Sequence, residues 1–219
     1  MAIKWTKGNE KLNKPNGGAY NIIGFGLPAD YSYERDGVKF NTCPGANACK
    51  GVCYAKQGRY LMPNVANARL SNLYASMEST FALDAISDLR YHAKRGVNVV
   101  RLHDSGDFYS QSYLDAWKTV ARALPDMVFY AYTKSLHLDI FTDKPDNFKL
   151  VQSLGGVYDA RVNLDAPHSR IFSSDVARIA AGYVDGNVND VPAITGETRI
   201  GLVYHGVRKL TVAQANFFG

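Results

Sequence analysis

The sequence predicts an α/β fold, with strands and helices alternating along one chain. Three observations predict it. Apolar runs rich in β-branched and aromatic residues, VNVV at 97–100, MVFYAY at 127–132 and FKLV at 148–151, read as buried strands. Segments with helical spacing of apolar residues lie between the earlier runs, and strand–helix–strand succession implies right-handed crossovers and parallel pairing. The 219 residues are 46% hydrophobic and 21% charged, an ordinary composition that fits one domain with a sizeable core, wound as a barrel or an open sheet.

Residues 1–19 are polar, with Lys4, Lys7, Lys11 and Lys14 before Pro15, Asn16, Gly17 and Gly18, and read as an irregular arm that rests on the fold through Trp5. The α/β domain then runs over 20–219. YNIIGFGLPA, from Tyr20, is a short buried strand, and Tyr31 to Phe40 form a hairpin around Asp36 and Gly37. The stretch from Val65 to Lys94 lacks Pro and Gly and spaces Leu70, Leu73, Met77, Phe81, Ile86 and Leu89 as a helix, in two pieces with a break near Ser79. Gly96 follows Lys94 and Arg95 as a stop.

Val97 to His103 is the next strand. Ser110 or Gln111 opens a helix with Leu114, Trp117, Val120, Ala121 and Leu124 on one face, closed by Pro125. Met127 to Tyr132 is a strand, Leu136 to Phe141 a weaker helix, and FKLVQSLGG another strand. RIFSS, the segment from Asp175 to Ala181, and RIGLVYHG extend the winding.

All three cysteines of the chain, Cys43, Cys49 and Cys53, fall within TCPGANACKGVCYA. A disulfide would strand one of them, and the surrounding Pro44, Gly45, Asn47, Lys50 and Gly51 belong to a loop rather than a core. Thiolates converging on one point need a cation, so the loop reads as a metal or cluster site. Zinc would take four ligands, with His103 or another histidine completing the set. A four-iron cluster would take three thiolates and leave one iron for another ligand. Bare thiols are the remaining alternative.

In parallel α/β folds ligands gather at the carboxyl ends of strands. Two further strand ends are polar: His103, Asp104, Ser105, Gly106 and Asp107, and then Thr133, Lys134 and Ser135. Asp104 and Asp107 suit acid–base work or the grip of an ammonium or ribose, though Asp and Ser before a helix also cap it. Lys134 suits a carboxylate or phosphate, or is simply solvated. His103 is a metal ligand, a proton carrier or a structural residue. Arg101 shares strand parity with His103 and points inward with it, or lies on the surface.

Lys and Arg number 25 against 20 Asp and Glu, giving a net charge of +5 and a pI near 9.0, which favours anionic partners, nucleic acid among them, only mildly. MAIKWTKGNEKLNKPNGG has no apolar signal core and no stretch is long enough to span a bilayer, so a cytoplasmic protein with reduced thiols and no membrane partner is expected.

The combination of CPGANACKGVCYAKQGRY, RLHDSGDFYSQSYLDAW and FYAYTKS resembles the phage-associated gene product 88 family. The layout is also similar, more distantly, to that of radical S-adenosylmethionine enzymes. The usual cysteine gaps there are three and two residues, against five and three here, and Val52 stands where an aromatic residue is usual. The second resemblance implies a TIM-barrel-like (β/α) barrel, complete or partial, with the cysteine loop at its mouth. It further implies a [4Fe-4S] cluster on Cys43, Cys49 and Cys53 and a small molecule at the open iron. S-adenosylmethionine would be held by Ser105, Gly106, Asp107 and Thr133, and Asp107, Lys134 and His103 would serve catalysis. The phage resemblance implies a host cytoplasm. A non-radical cluster protein and a zinc-stabilised nucleic-acid binder remain the alternatives.

Overall fold

A computed structural model describes residues 2–7, 19–35 and 37–204. Its centre is an eight-stranded sheet formed by β1 (Thr6–Lys7), β2 (Ile22–Phe25), β5 (Val99–Leu102), β6 (Val128–Thr133), β7 (Phe148–Ser153), β8 (His168–Phe172), β10 (Arg199–Val203) and β9 (Val184–Asp185), in that spatial order. All neighbours are parallel except β1, which runs antiparallel to β2. A separate two-stranded antiparallel sheet, β3 (Ser32–Arg35) with β4 (Val38–Asn41), is the expected hairpin; Asp36 at its tip lies outside the described residues.

The sheet is open, which corrects the barrel. Closure requires the two edge strands to hydrogen-bond each other. Here the outer edge of β2 is taken by antiparallel β1, and the outer edge of β10 by the two-residue β9. No pairing joins these edges among the described residues. The polar start is also not wholly irregular, since Thr6 and Lys7 pair with Gly24 and Ile23. Trp5 packs as expected, 5.8 Å from Phe25 and 6.4 Å from Trp117. Residues 8–18 of the arm and the end of RIGLVYHG lie outside the described residues.

Helices α1 (Pro63–Ser76) and α2 (Phe81–Ala93) are the two expected pieces, broken across Ser79, and α3 (Gln111–Ala123) follows β5. Pro63 suits the first turn of α1 because its missing N–H has no helical acceptor there, and the Ser110 hydroxyl caps α3 by accepting from Tyr113 N at 3.2 Å. Two short helices, α4 (Asp175–Ala180) and α5 (Val191–Thr195), come later. Residues 136–141 form turns rather than the expected helix.

Strand periodicity sorts the side chains onto two faces. Ile23, Val100, Phe129 and Phe148 lie in register across four strands, as do Phe25, Leu102, Ala131 and Leu150. These two rows meet α1, α2 and α3 in the main core, around Trp117. The opposite face carries Ile22, Val99, Tyr130, Val151 and Ile200 against Ala193 and Ile194 of α5. It also carries the row Gly24, Arg101, Tyr130, Lys149. That second face is less covered, and a cavity opens beside it.

Candidate functional site

The chain after β4 turns through three short 3-10 segments, Ala48–Gly51, Tyr54–Lys56 and Gly58–Leu61, before entering α1. This loop lies on the ends of β5, β6 and β7. Asp107 N donates to Thr42 O at 2.7 Å, Val157 N donates to Gly45 O at 3.0 Å, and Ala46 bridges to Gly156. Gly45 sits so close to the Lys134 carbonyl that a Cβ there would overlap it. Glycine is therefore what lets the cysteine loop press on the exit of β6.

Between loop and sheet is a cavity of about 570 Å³. Cys43, Cys49 and Cys53 line it, together with Arg101, His103, Asp104, Ser105, Gly106, Asp107, Tyr132 and Lys134. The three polar strand ends of the sequence thus meet at one place.

The cysteines form no disulfide. Burial pushes the Cys43 thiol up to about 12, with Asp107, Cys53 and Cys49 adding to the rise, and burial also raises Cys53, with Cys49 adding. Asp30 N donates to Cys43 Sγ at 3.2 Å. The Asp30 carboxylate reaches Lys56 at 2.7 Å and Lys50 at 3.4 Å; burial alone would raise it, but these cations and Asn41 hold it below its ordinary value. Asp30 thereby staples two turns of the loop.

Among the described residues, no group of three or more His, Cys, Asp or Glu side chains is gathered so as to hold a metal ion. This corrects the expectation of a ready-made metal-binding loop and removes the zinc site with His103. The cysteines share a cavity wall, but their thiols do not meet at one point with another ligand.

The strand-end residues are bound tightly into the protein. His103 has φ 61°, which turns its ring off the Arg101 side of β5. Its Nε2 pairs with Tyr113 OH at 2.9 Å and its ring meets the Phe108 ring edge-on at 4.5 Å. Burial lowers its pKa to about 3, so the imidazole is neutral. Asp107 accepts from Phe108 N at 2.7 Å, Thr133 Oγ1 at 2.6 Å and Lys134 N at 2.8 Å; burial nevertheless raises its pKa. Its carboxylate ties β5 to β6, and Thr133 is the other half of that tie. Ser105 Oγ donates to Leu27 O at 2.6 Å. Gly106 has φ 80°, and a Cβ there would lie 2.6 Å from Leu27 Cβ. Lys134 Nζ donates to Ser153 Oγ at 2.9 Å, Ser153 O at 3.2 Å and Leu154 O, while burial lowers its pKa.

Two parts of the site escaped the sequence reading. Arg69 of α1 donates from Nε to Ser105 Oγ at 2.6 Å and forms an ion pair with Asp104, and its guanidinium lies 4.5 Å over the Tyr60 ring. Tyr60 OH also donates to Asp104 Oδ2 at 3.3 Å, and Tyr54 OH to the Asp104 carbonyl, so the cysteine loop is anchored to this pair. The available signal was weak, an arginine four residues before Leu73 on the buried side of α1, which it shares with Asn72 and Ser76. The second is Asp190, which receives Arg101 Nη1 at 3.0 Å and Tyr130 OH at 2.7 Å on Oδ2. Nothing local marks Asp190 as a partner of a distant strand.

Comparison with known proteins adds the lineage. Two relatives are the "Gene 88 protein" of Mycobacterium phage L5, 30% identical over 151 residues, and that of Mycobacterium phage D29, 29% identical over 153. Each match covers 59% or 60% of this chain and 60% of the relative, so the chain aligns with about three fifths of their length. No solved structure matches. No helix among the described residues is long and apolar enough to cross a membrane. The family model for gene product 88 matches residues 3–208, cysteine loop and both polar strand ends included, and the chain belongs to that family.

Proposed function

We propose that the cavity receives a [4Fe-4S] cluster on Cys43, Cys49 and Cys53, with one iron left for a small molecule. The observation that carries this reading is that every cysteine of the chain lines the same cavity, free of disulfides. A cluster takes each thiolate at a different iron, so it does not require the thiols to meet around a single ion. The group fits the donor set: three soft sulfur ligands, partly shielded from water, with Asp30 N–H already donating to one sulfur. When bound, a cluster supplies one-electron chemistry and an iron site for a ligand. The chain's own part is to hold the loop through the Arg69–Asp104 pair and Tyr54, and to keep Cys43 away from bulk solvent.

Reductive cleavage of S-adenosylmethionine is the finer form of this proposal. Ser105, Gly106 and Asp107 line the cavity, which supports it, but the side chains of Ser105 and Asp107 are engaged by protein partners. A cofactor at this turn would therefore be met by backbone groups. The second reading is a cavity that binds a small organic molecule without iron, favoured by the raised Cys43 thiol and the lack of a gathered ion site. With phage proteins among its relatives, the chain would act inside an infected cell.

Anaerobic purification and reconstitution, with iron and acid-labile sulfide quantified, tests the cluster. Wild-type protein should hold both, and Cys43→Ser, Cys49→Ser and Cys53→Ser should each lose most of them, since two thiolates anchor a cluster poorly. Iron-free wild-type protein after reconstitution would sink the cluster and leave the second reading. Formation of 5′-deoxyadenosine with dithionite and S-adenosylmethionine separates radical from non-radical chemistry.

A further inference from the structure

The cavity wall also contains a buried cation with an unpartnered donor. Arg101 is only 9% exposed, and Asp190 is its ion-pair partner, reached through Nη1 at 3.0 Å. Its Nε–H is buried with no hydrogen-bond partner among the described residues. Tyr132 OH is in the same condition. Arg101 pairs in register with Tyr130, and Tyr132 lies two residues further on the same face, so the two donors are diagonal neighbours on adjacent strands. Both residues line the cavity, with the two donor atoms themselves shielded from water. A buried donor without an acceptor costs free energy, and a site containing two such neighbours is complementary to a ligand that supplies acceptors.

We propose that Arg101 and Tyr132 form a subsite for the carboxylate of a small organic molecule. A planar two-oxygen anion matches the flat fork of a guanidinium, and Tyr132 OH adds a third donor beside it. Desolvation works in the same direction: burial keeps the Tyr132 hydroxyl protonated by raising its pKa, and it therefore remains a donor. Lys134 lines the same cavity, with its Nζ donating to Ser153 and Leu154. The rest of the ligand has room, because the volume falls within the range that encloses small molecules, and Ile171, Leu202 and Val203 supply apolar lining. Specificity would follow from the same donors, since a ligand lacking the carboxylate leaves them unpaired. The subsite belongs to the strands rather than to the loop and stands whether or not the cysteines hold a cluster.

The test follows the Nε–H resonance of Arg101 in ¹⁵N-labelled full-length protein, assigned by its loss in Arg101→Lys, during titration with benzoate, benzamide or inorganic phosphate. Benzoate should move the resonance saturably and benzamide should not. Tyr132→Phe, which removes one hydroxyl and no packing volume, should weaken the benzoate titration about fivefold. It keeps the test open if Arg101→Lys fails to fold, in which case the resonance is assigned through its backbone neighbours. No saturable movement with benzoate up to its solubility limit, equal movement with benzamide, saturation by phosphate alone, or an unchanged titration in Tyr132→Phe would each overturn the proposal.

Discussion

The two faces of the sheet solve the problem of burial in opposite ways. The face under α1, α2 and α3 is filled by apolar rows, and its stability depends on volume: Trp117 is fully buried among Phe25, Phe81, Tyr113 and Phe129. The other face buries charge. Arg101, Asp190 and the Tyr130 hydroxyl sit where a hydrophobic layer would otherwise be, and each relies on another for compensation. A face of the first kind tolerates neighbours of similar size, whereas a face of the second kind fails when one member is removed. It is beside this costly face that the cavity opens, which is where an expensive polar arrangement has a use.

The largest effect should come from cutting the charged pair. Asp190→Ala leaves Arg101 buried without its carboxylate and should destabilise the fold by about 3–5 kcal/mol in chemical denaturation. The double substitution Arg101→Met with Asp190→Leu should recover much of that loss. A cost below about 1 kcal/mol for Asp190→Ala would mean that the guanidinium is solvated from the cavity and that the two faces differ little in how they bury charge.

A middle effect is expected where the loop meets the sheet. Gly45→Ala places a methyl group against the Lys134 carbonyl and should cost about 1–3 kcal/mol, with faster labelling of the three thiols by a water-soluble disulfide reagent. Unchanged labelling would show that the loop position does not depend on this contact.

The smallest effect at neutral pH belongs to His103, on the helix-covered side. His103→Asn should cost about 1 kcal/mol at pH 7 through the lost hydrogen bond to Tyr113. Its mark is in acid. Burial depresses the folded pKa of His103 from 6.5 to about 3, so the unfolded chain binds the extra proton and stability falls as pH drops from about 6.5 toward 3. Asp107 has the opposite sign, because its raised folded pKa makes the native state the better proton binder above the usual carboxylate range. The difference between wild type and His103→Asn isolates the histidine: the variant should lose less stability over that interval, and parallel pH profiles would remove the assignment.

Much of the architecture was legible because it is written in local patterns. Val99 to Leu102 and Val128 to Thr133 advertise strands by composition, and the break at Ser79 and the Ser110 cap are short-range signals. The convergence of the cysteines with 103–107 and 133–135 was legible too, since parallel strands present their ends on one side. The roles of those residues were not. Asp107 looks like an acid–base group from its position, yet Thr133, Lys134 and Phe108 surround its carboxylate; a sequence does not reveal how many donors face one oxygen pair. Arg101 and His103 have the same strand parity, but φ 61° at His103 ends the alternation and separates them.

The sequence by itself determined that this chain alternates strands and helices, and that its three thiols lie together in a glycine-bearing loop beside two polar strand ends. Periodicity, turn chemistry and spacing act over a few residues, and their consequences can be read in order. Only the tertiary structure decided that the sheet stays open among the described residues, because closure depends on which distant strand pairs with each edge, and Thr6–Lys7 and Val184–Asp185 occupy them. It also decided that Arg101 meets Asp190 and that the cysteines line a cavity without gathering around one ion. Those outcomes depend on three-dimensional packing between residues far apart in the chain.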